Sequence, residues 1–156
     1  ELNILKKVGA KIKLFKNSIH IKGPEKIKSI RNITTKEYPG FPTDLAPQFM
    51  VLLCKASGTS SITENIFQGR FLHAMELQRL GAKITIKNRT AQIEGNTNFI
   101  AAEVMSSDLR ASAALVLAGI VSKGNTVVTR VYHCDRGYEN FENKLKKIGV
   151  KIKRLK

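Results

Sequence analysis

The sequence is short of cysteine, aromatic side chains and long apolar runs, and each shortage excludes a class of protein. Its 156 residues include two cysteines and no tryptophan, and only 6% are aromatic. Cys54 and Cys134 provide neither a disulfide framework nor a metal-ligand spacing, which favours a reducing compartment such as the cytoplasm. The longest apolar run, 111–121, is about half a membrane span, so we expect no membrane partner.

Acidic residues are also scarce, with 12 against 27 lysines and arginines, for a net charge of +15. The excess lies in residues 1–36 and 144–156, whereas residues 37–143 are neutral. Nucleic-acid surfaces that stack bases interleave aromatic residues with arginine, and the two basic stretches lack that pattern. We therefore expect a solvated, lysine-rich surface and no nucleic-acid partner. A basic repeat module that binds nucleic acid and a non-catalytic structural domain stay as alternatives.

One stretch of the sequence occurs more than once. VGAKIKLFKNSIHIKG (8–23) matches LGAKITIKNRTAQIEG (80–95), and IGVKIKRLK (148–156) begins a third copy. The first two copies each hold two glycines 14 residues apart, Gly9 and Gly23 and then Gly81 and Gly95. Each copy predicts an amphipathic helix that ends at glycine, followed by a hairpin of two strands.

A second repeat lies between those copies. Residues 43–71 parallel residues 107–138, and the step from glycine to arginine is 12 residues in both, Gly58 to Arg70 and Gly124 to Arg136. Each unit predicts a helix opened by aspartate, a strand after glycine and a loop that carries arginine. Units of this length favour an α/β fold in which a few large units pack around a pseudo-symmetry axis.

The two copies provide an internal control for the helix starts. Asp44 and Asp108 recur, so each is either a helix N-cap or a carboxylate that serves a ligand. Arg110 stands where the other copy has Ala46, so the architecture does not require it. An arginine at a helix N-terminus suits an anion site, and Asp108 could hold its guanidinium in place.

The loops carry further candidates. Arg70 and Arg136 recur, so they serve either packing or function. The prolines before Asp44 stiffen its approach, which suits a general base or a hydroxyl-binding acceptor. Cys54 lies in an apolar helix and is predicted to be core, while Cys134 could be a thiol of lowered pKa. The three histidines share no metal spacing, so we expect no metal site.

Four motifs in order, YPGFPTD, FQGRF, DLRASAALVLAG and YHCDRGYE, resemble those of the bacterial UDP-N-acetylglucosamine 1-carboxyvinyltransferases, a family of enolpyruvyl transferases. The resemblance covers essentially the whole chain. It implies an inside-out α/β barrel of pseudo-threefold units, with helices inside and sheets outside. Residues 1–156 would be a partial C-terminal domain of about two and a half units, whose partner is the missing N-terminal domain.

The resemblance also implies an activity. The family moves the enolpyruvyl group of phosphoenolpyruvate to the 3′-hydroxyl of UDP-N-acetylglucosamine and releases phosphate, without a cofactor. This is the first committed step of peptidoglycan precursor synthesis in the cytoplasm. The family's cysteine loop, a Lys-Asn pair and a further phosphate-binding arginine match nothing in this chain, so we expect the chain alone to have no turnover.

Carried over position by position, the resemblance assigns roles to single residues. Asp44 matches the aspartate that binds the sugar hydroxyl and is the favoured proton acceptor. Ile66 matches a position whose backbone contacts the sugar nucleotide. Four positions match charged residues of the substrate and phosphate cleft: Arg70, Asp108, Arg110 and Arg136. The chain departs from the family at two positions. Family members often have an acidic residue where this chain has Gln68, and a glutamine where it has Ala46.

Overall fold

The computed structural model describes residues 1–155, and the repeat of the sequence is also a repeat of secondary structure. The helices are α1 (Leu2–Lys7), α2 (Ala46–Cys54), α3 (His73–Arg79), α4 (Leu109–Ile120), α5 (Tyr132–Asp135) and α6 (Phe141–Lys147). The strands are β1 (Lys11–Leu14), β2 (Ile19–Lys22), β3 (Ile33–Thr34), β4 (Thr59–Thr63), β5 (Lys83–Lys87), β6 (Thr90–Glu94), β7 (Glu103–Met105) and β8 (Val127–Thr129).

The strands form two kinds of pair. β1–β2 and β5–β6 are antiparallel hairpins, and β3–β4 and β7–β8 are parallel pairs. One sheet contains both kinds, because β4 also pairs antiparallel with β6 to give the order β3-β4-β6-β5. The hairpins predicted for the first two copies are therefore confirmed, as are the strands predicted after Gly58 and Gly124.

The repeated glycines end their helices for a conformational reason. Gly9, Gly81 and Gly149 follow α1, α3 and α6 with φ of 107°, 94° and 93°. This left-handed region disfavours any residue with a Cβ, and it lets the chain reverse into the next element. The helix ends predicted from the repeat are confirmed.

The two inner helices form the core. Seven of the nine residues of α2 are buried, as are seven of the twelve residues of α4, and the two helices pack against each other. A helix that is apolar on nearly every side belongs in an interior. Ile62, Ala91 and Ile93 belong to the same core and lie on β4 and β6, which pack against α2, while the alternate residues of β6 face outward. The predicted arrangement, helices inside and sheets outside, is confirmed.

Cys54 lies in this core, as predicted, with its side chain fully buried on α2. The β1–β2 hairpin lies outside this core, since most of the hairpin's residues are exposed on both faces. Among residues 1–155, no helix combines the length and the apolar character that crossing a bilayer requires.

Candidate functional site

Four segments that are distant in sequence meet at the N-terminal ends of α2 and α4. They are the loop 35–45 before α2, the loop 64–72 between β4 and α3, the start of α4 and the turn 130–138. Side chains on three of these segments form an ion-pair cluster, and the fourth is tied to it by hydrogen bonds.

Asp44 is at the centre of the cluster. It lies in a single 3-10 turn (Thr43–Leu45) ahead of α2, and its carboxylate Oδ1 accepts a hydrogen bond from Arg110 Nε. The guanidinium Nη1 of Arg70 lies 3.7 Å from the same oxygen. The hydrogen bond to Asp44 is the main reason that the pKa of Arg110 is raised. The Asp44 side chain remains 60% exposed, so a ligand can reach it.

The N-cap interpretation is wrong for Asp44 and confirmed for Asp108. Leu45 occupies the N-cap position of α2, and no side chain among residues 1–155 caps that helix. Asp108 caps α4, because its Oδ1 accepts from the backbone N–H groups of Arg110 (2.9 Å) and Ala111 (3.0 Å). Burial alone would raise the pKa of Asp108, but hydrogen bonds from Ala111, Ser107 and Arg110 hold it below its usual value.

A related expectation fails for the same reason. The Asp108 carboxylate was predicted to hold the guanidinium of Arg110, and it binds the backbone N–H of that residue instead. The guanidinium pairs with Asp44, 66 residues earlier in the chain. Arg110 therefore connects the two inner helices rather than bonding within its own helix.

Arg70 lies on a loop, as predicted, and the loop is internally braced. Its guanidinium lies over the Phe67 ring, 4.1 Å from the ring centroid, and this cation–π contact restricts the side chain. The backbone N–H of Ile66 donates to Glu64 Oε1 at 2.7 Å. The same loop lines an open groove of about 440 Å³ together with α3 and the turn between β5 and β6.

Arg136 lies in a turn that exposes its side chain, as predicted. It is the C-cap residue of the one-turn helix α5. Within residues 1–155 it takes part in no ion pair, whereas its neighbour Asp135 pairs with Arg154 at 2.6 and 2.8 Å. Gly137 packs against the start of α4, since a Cβ there would lie 2.8 Å from Leu109 Cδ2.

Sequence reasoning missed Gln48 and Tyr138, which link this turn to the Asp44 turn. The Gln48 amide is satisfied when its oxygen faces Tyr138 Oη at 3.2 Å. Its nitrogen then donates to the carbonyls of Asp44 (3.1 Å) and Leu45 (3.3 Å). The turn that carries Arg136 is thereby fixed relative to the backbone of Asp44.

Sequence reasoning also missed Glu64, the one acidic residue among those described that is fully buried. Four donors surround its carboxylate: the hydroxyls of Thr35 (2.8 Å) and Thr43 (2.6 Å) and the backbone N–H groups of Ile66 (2.7 Å) and Phe67 (3.1 Å). A signal was available, because the 12-residue step from glycine to arginine aligns Glu64 with Arg130. Because the second unit has an arginine at this position, the repeated architecture does not require an acid at Glu64.

The two thiols form no part of the ion-pair cluster, and His73 lies buried beside it. The lowered pKa considered for Cys134 is wrong, since burial and the charge of Asp135 raise its pKa to about 11. Burial also raises the pKa of Cys54 to about 12 and lowers that of His73 to about 4. Across residues 1–155, no three His, Cys, Asp or Glu side chains are grouped so that they could hold a metal ion.

Comparison with known proteins places this geometry in a family. The family model for EPSP synthase (3-phosphoshikimate 1-carboxyvinyltransferase) matches residues 1–145. The UDP-N-acetylglucosamine 1-carboxyvinyltransferase of Pelagibacter ubique (strain HTCC1062) is 61% identical over 155 residues, and that of Helicobacter pylori (strain ATCC 700392 / 26695) is 52% identical over 149. These matches cover 99% and 96% of the chain but only 37% and 35% of the relatives' lengths.

Solved structures agree on the fold. The enolpyruvyl transferase NikO from Streptomyces tendae superposes with a TM-score of 0.89 at 24% identity, over 97% of this chain and 35% of that one. EPSP synthase from Acinetobacter baumannii superposes with a TM-score of 0.80 at 20% identity, over 99% and 39%. At such identities the likeness concerns the fold alone. With the family model matching nearly its whole length, the chain belongs to the EPSP synthase family of enolpyruvyl transferases.

Proposed function

We propose that this chain supplies one wall of the active site of a UDP-N-acetylglucosamine 1-carboxyvinyltransferase. The reaction moves the enolpyruvyl group of phosphoenolpyruvate to the 3′-hydroxyl of UDP-N-acetylglucosamine and releases phosphate, as the first committed step of peptidoglycan precursor synthesis. One observation carries the proposal: the exposed carboxylate of Asp44 is held by Arg110 and Arg70, which come from separate units. The identity of 61% to the Pelagibacter ubique relative supports the choice of substrates.

Asp44 is the group that receives the sugar. Arg110 fixes Oδ1, which leaves Oδ2 free of any hydrogen bond within residues 1–155 and directed by the rigid turn ahead of α2. A fixed, accessible carboxylate can accept the proton of a bound hydroxyl as that hydroxyl attacks C2 of phosphoenolpyruvate and C3 takes up a proton to become a methyl group. Loss of phosphate from C2 and of a proton from C3 then restores the double bond in the product. The backbone of Ile66 would contact the sugar nucleotide from the neighbouring loop.

The arginines supply the positive charge that the reaction needs. Phosphoenolpyruvate is strongly anionic, and the tetrahedral intermediate collapses with departure of phosphate, so fixed guanidinium groups lower the barrier. Arg70 and Arg110 already converge on one point, and the exposed Arg136 would approach phosphoenolpyruvate. Asp108 contributes indirectly, because its cap fixes the first turn of α4 on which Arg110 lies.

The chain spans about 37% of the length of the relative, and the activity is assigned to the whole protein. We propose that residues 1–156 form part of its C-terminal domain, about two and a half units, and that an N-terminal domain supplies the opposite wall. The proposed reaction takes place in the cytoplasm. The chain alone is then expected to have no turnover, since Asp44 and the arginines line only one side.

The test is phosphate release from phosphoenolpyruvate and UDP-N-acetylglucosamine. The assay compares the chain alone with a chimera in which the chain replaces the matching segment of the Pelagibacter ubique relative. We expect activity only from the chimera, and Asp44→Asn to lower its kcat by about 100-fold to 10,000-fold. Glu103→Gln is the matched control, because it removes an exposed carboxylate on β7, away from the ion-pair cluster. A folded but inactive chimera, or an Asp44→Asn variant of full activity, would contradict the proposal.

A further inference from the structure

Glu64 presents an unusual electrostatic arrangement. Its side chain is 1% exposed, and in the described residues no lysine or arginine pairs with it. A buried carboxylate without a cation is costly unless its oxygens receive enough hydrogen bonds. Oε1 accepts from Thr35 Oγ1 and from the backbone N–H groups of Ile66 and Phe67, and Oε2 accepts from Thr43 Oγ1.

These bonds keep the group ionised. Burial alone would raise the pKa of Glu64, but the hydrogen bonds from Thr43, Thr35, Phe67 and Ile66 outweigh it and lower the pKa below its usual value. A charged acceptor makes each of these bonds shorter and stronger than a neutral one would. The carboxylate is therefore a firm anchor between the groups that bind it.

The groups bound to this anchor belong to the two loops of the cluster. Thr43 precedes Asp44 in the 3-10 turn, whereas Ile66 and Phe67 begin the loop that carries Arg70. Phe67 in turn supports the Arg70 guanidinium through its ring. Within residues 1–155, no hydrogen bond or ion pair joins Glu64 to Asp44 or Arg70, so its influence on them passes through the two loops.

The second unit shows that the fold does not need this anchor. Arg130 occupies the position equivalent to Glu64 and adopts a left-handed conformation, with φ of 55°. Ser106 is the residue equivalent to Thr35, because each donates its backbone N–H to the last residue of the neighbouring parallel strand. Its hydroxyl bonds the Asp108 carbonyl and Ser112 instead of an acid. The same architecture is thus built twice and holds a buried carboxylate once, beside Asp44.

We propose that Glu64 is a positioning residue that fixes the Asp44 turn and the Arg70 loop relative to each other for enolpyruvyl transfer. The inference rests on the proposed function for its catalytic consequence. Displacing a catalytic group by about 1 Å can cost on the order of 100-fold in rate, so one buried anchor between two such loops has a measurable effect.

The experiment cuts the connection to the Asp44 turn and leaves the acid in place. Thr43→Val removes the hydroxyl that joins Glu64 to that turn, and Thr43→Ser retains it. Ser60→Ala is the matched control, because Ser60 is a buried hydroxyl on β4 that accepts from the Ile30 N–H and, in residues 1–155, forms no side-chain hydrogen bond with either loop. Any effect of lost stability alone should appear in Ser60→Ala as well.

Two measurements are made on each variant. The first is the Arg110 Nε–H cross-peak in the ¹⁵N NMR spectrum of this chain, which reports the hydrogen bond to Asp44 and is assigned through Arg110→Lys. The second is kcat and KM for phosphate release by the chimera, at a temperature below the unfolding of every variant.

We expect Thr43→Val to shift the Arg110 cross-peak and to lower kcat about 10-fold to 100-fold. Thr43→Ser should restore both, and Ser60→Ala should change neither. An unchanged cross-peak in Thr43→Val overturns the inference whatever the activity, and so does a shifted cross-peak with unchanged kcat. A shifted cross-peak together with an inactive parent chimera supports the anchor and refutes the proposed function instead.

Discussion

Gly95 provides a test of how closely the end of β6 approaches the turn between α2 and β4. An ideal Cβ at this position would lie 1.9 Å from the carbonyl oxygen of Ala56 and 2.5 Å from that of Gly58. Both oxygens belong to the turn between α2 and β4, and both already accept backbone hydrogen bonds, from Asn96 at 2.8 Å and from Gly95 at 3.0 Å. No side-chain movement can relieve a contact with backbone atoms.

The cost of Gly95→Ala follows from what must move. Separating the new methyl group from the two oxygens to van der Waals distance takes a shift of more than 1 Å, which breaks both hydrogen bonds. Overpacking of a closely packed site costs about 1–3 kcal/mol. Each buried backbone group left unpaired adds about 1–3 kcal/mol. The lower bounds of these terms sum to about 3 kcal/mol, so we expect a loss of at least that size, which corresponds to a fall in Tm of at least about 6 °C for a chain of this size.

Gly23 is the matched control, since it occupies the same place in the first copy of the repeat, and in residues 1–155 no heavy atom beyond its chain neighbours lies within 4 Å of its ideal Cβ. Gly23→Ala should change the free energy of unfolding by less than about 1 kcal/mol, through the lower entropy of the unfolded chain. Urea denaturation followed by circular dichroism measures both variants. A Gly95→Ala variant as stable as Gly23→Ala would refute the close approach of this turn to the end of β6.

Three further predictions concern titration, capping and thiol reactivity. His73 binds its proton with a pKa of about 4 in the folded chain and about 6.5 in the unfolded one, so stability should fall as the pH decreases through that window, by up to about 3 kcal/mol. A Tm that varies with pH equally in His73→Phe would contradict this. Asp108→Ala should lower the free energy of unfolding by about 1–2 kcal/mol in denaturation experiments, because Asp108 caps a helix. Asp44→Ala should lower it by less than about 1 kcal/mol, because Asp44 caps no helix and its ion pairs are exposed. Equal losses would contradict the assignment of the cap to Asp108. Cys54 and Cys134 are buried with raised pKa values, so a thiol reagent should modify them only at the rate of unfolding, and rapid labelling of the folded chain would show otherwise.

The parts of the structure that the sequence predicts are those that local chemistry determines. Glycines at a fixed spacing mark helix ends, because only a residue without a Cβ adopts φ near +100° at low cost. The runs around Phe49 and Leu115 predict buried helices since no polar face interrupts them. The Asp108 cap needs only neighbours two and three residues away.

The pairing of Arg110 with Asp44 could not be read in the same way. The two residues are 66 positions apart, and spacing along a chain does not determine which side chains of two packed helices meet. From the sequence alone, several acidic residues are possible partners for a cation at the start of α4. The packing of α2 against α4 selects Asp44, because Asp108 is already committed to backbone donors.

The different fates of Asp44 and Asp108 have a local cause that the repeat exposes. Asp108 accepts from the N–H of Ala111, three residues on, and the residue equivalent to Ala111 in the first unit is Pro47. Proline has no N–H, so Asp44 lacks one of the two backbone donors that the Asp108 cap uses, and its carboxylate binds Arg110 instead. The fold supplies the same position twice, and the copy that contains Pro47 leaves its aspartate exposed, as our proposed function for Asp44 requires.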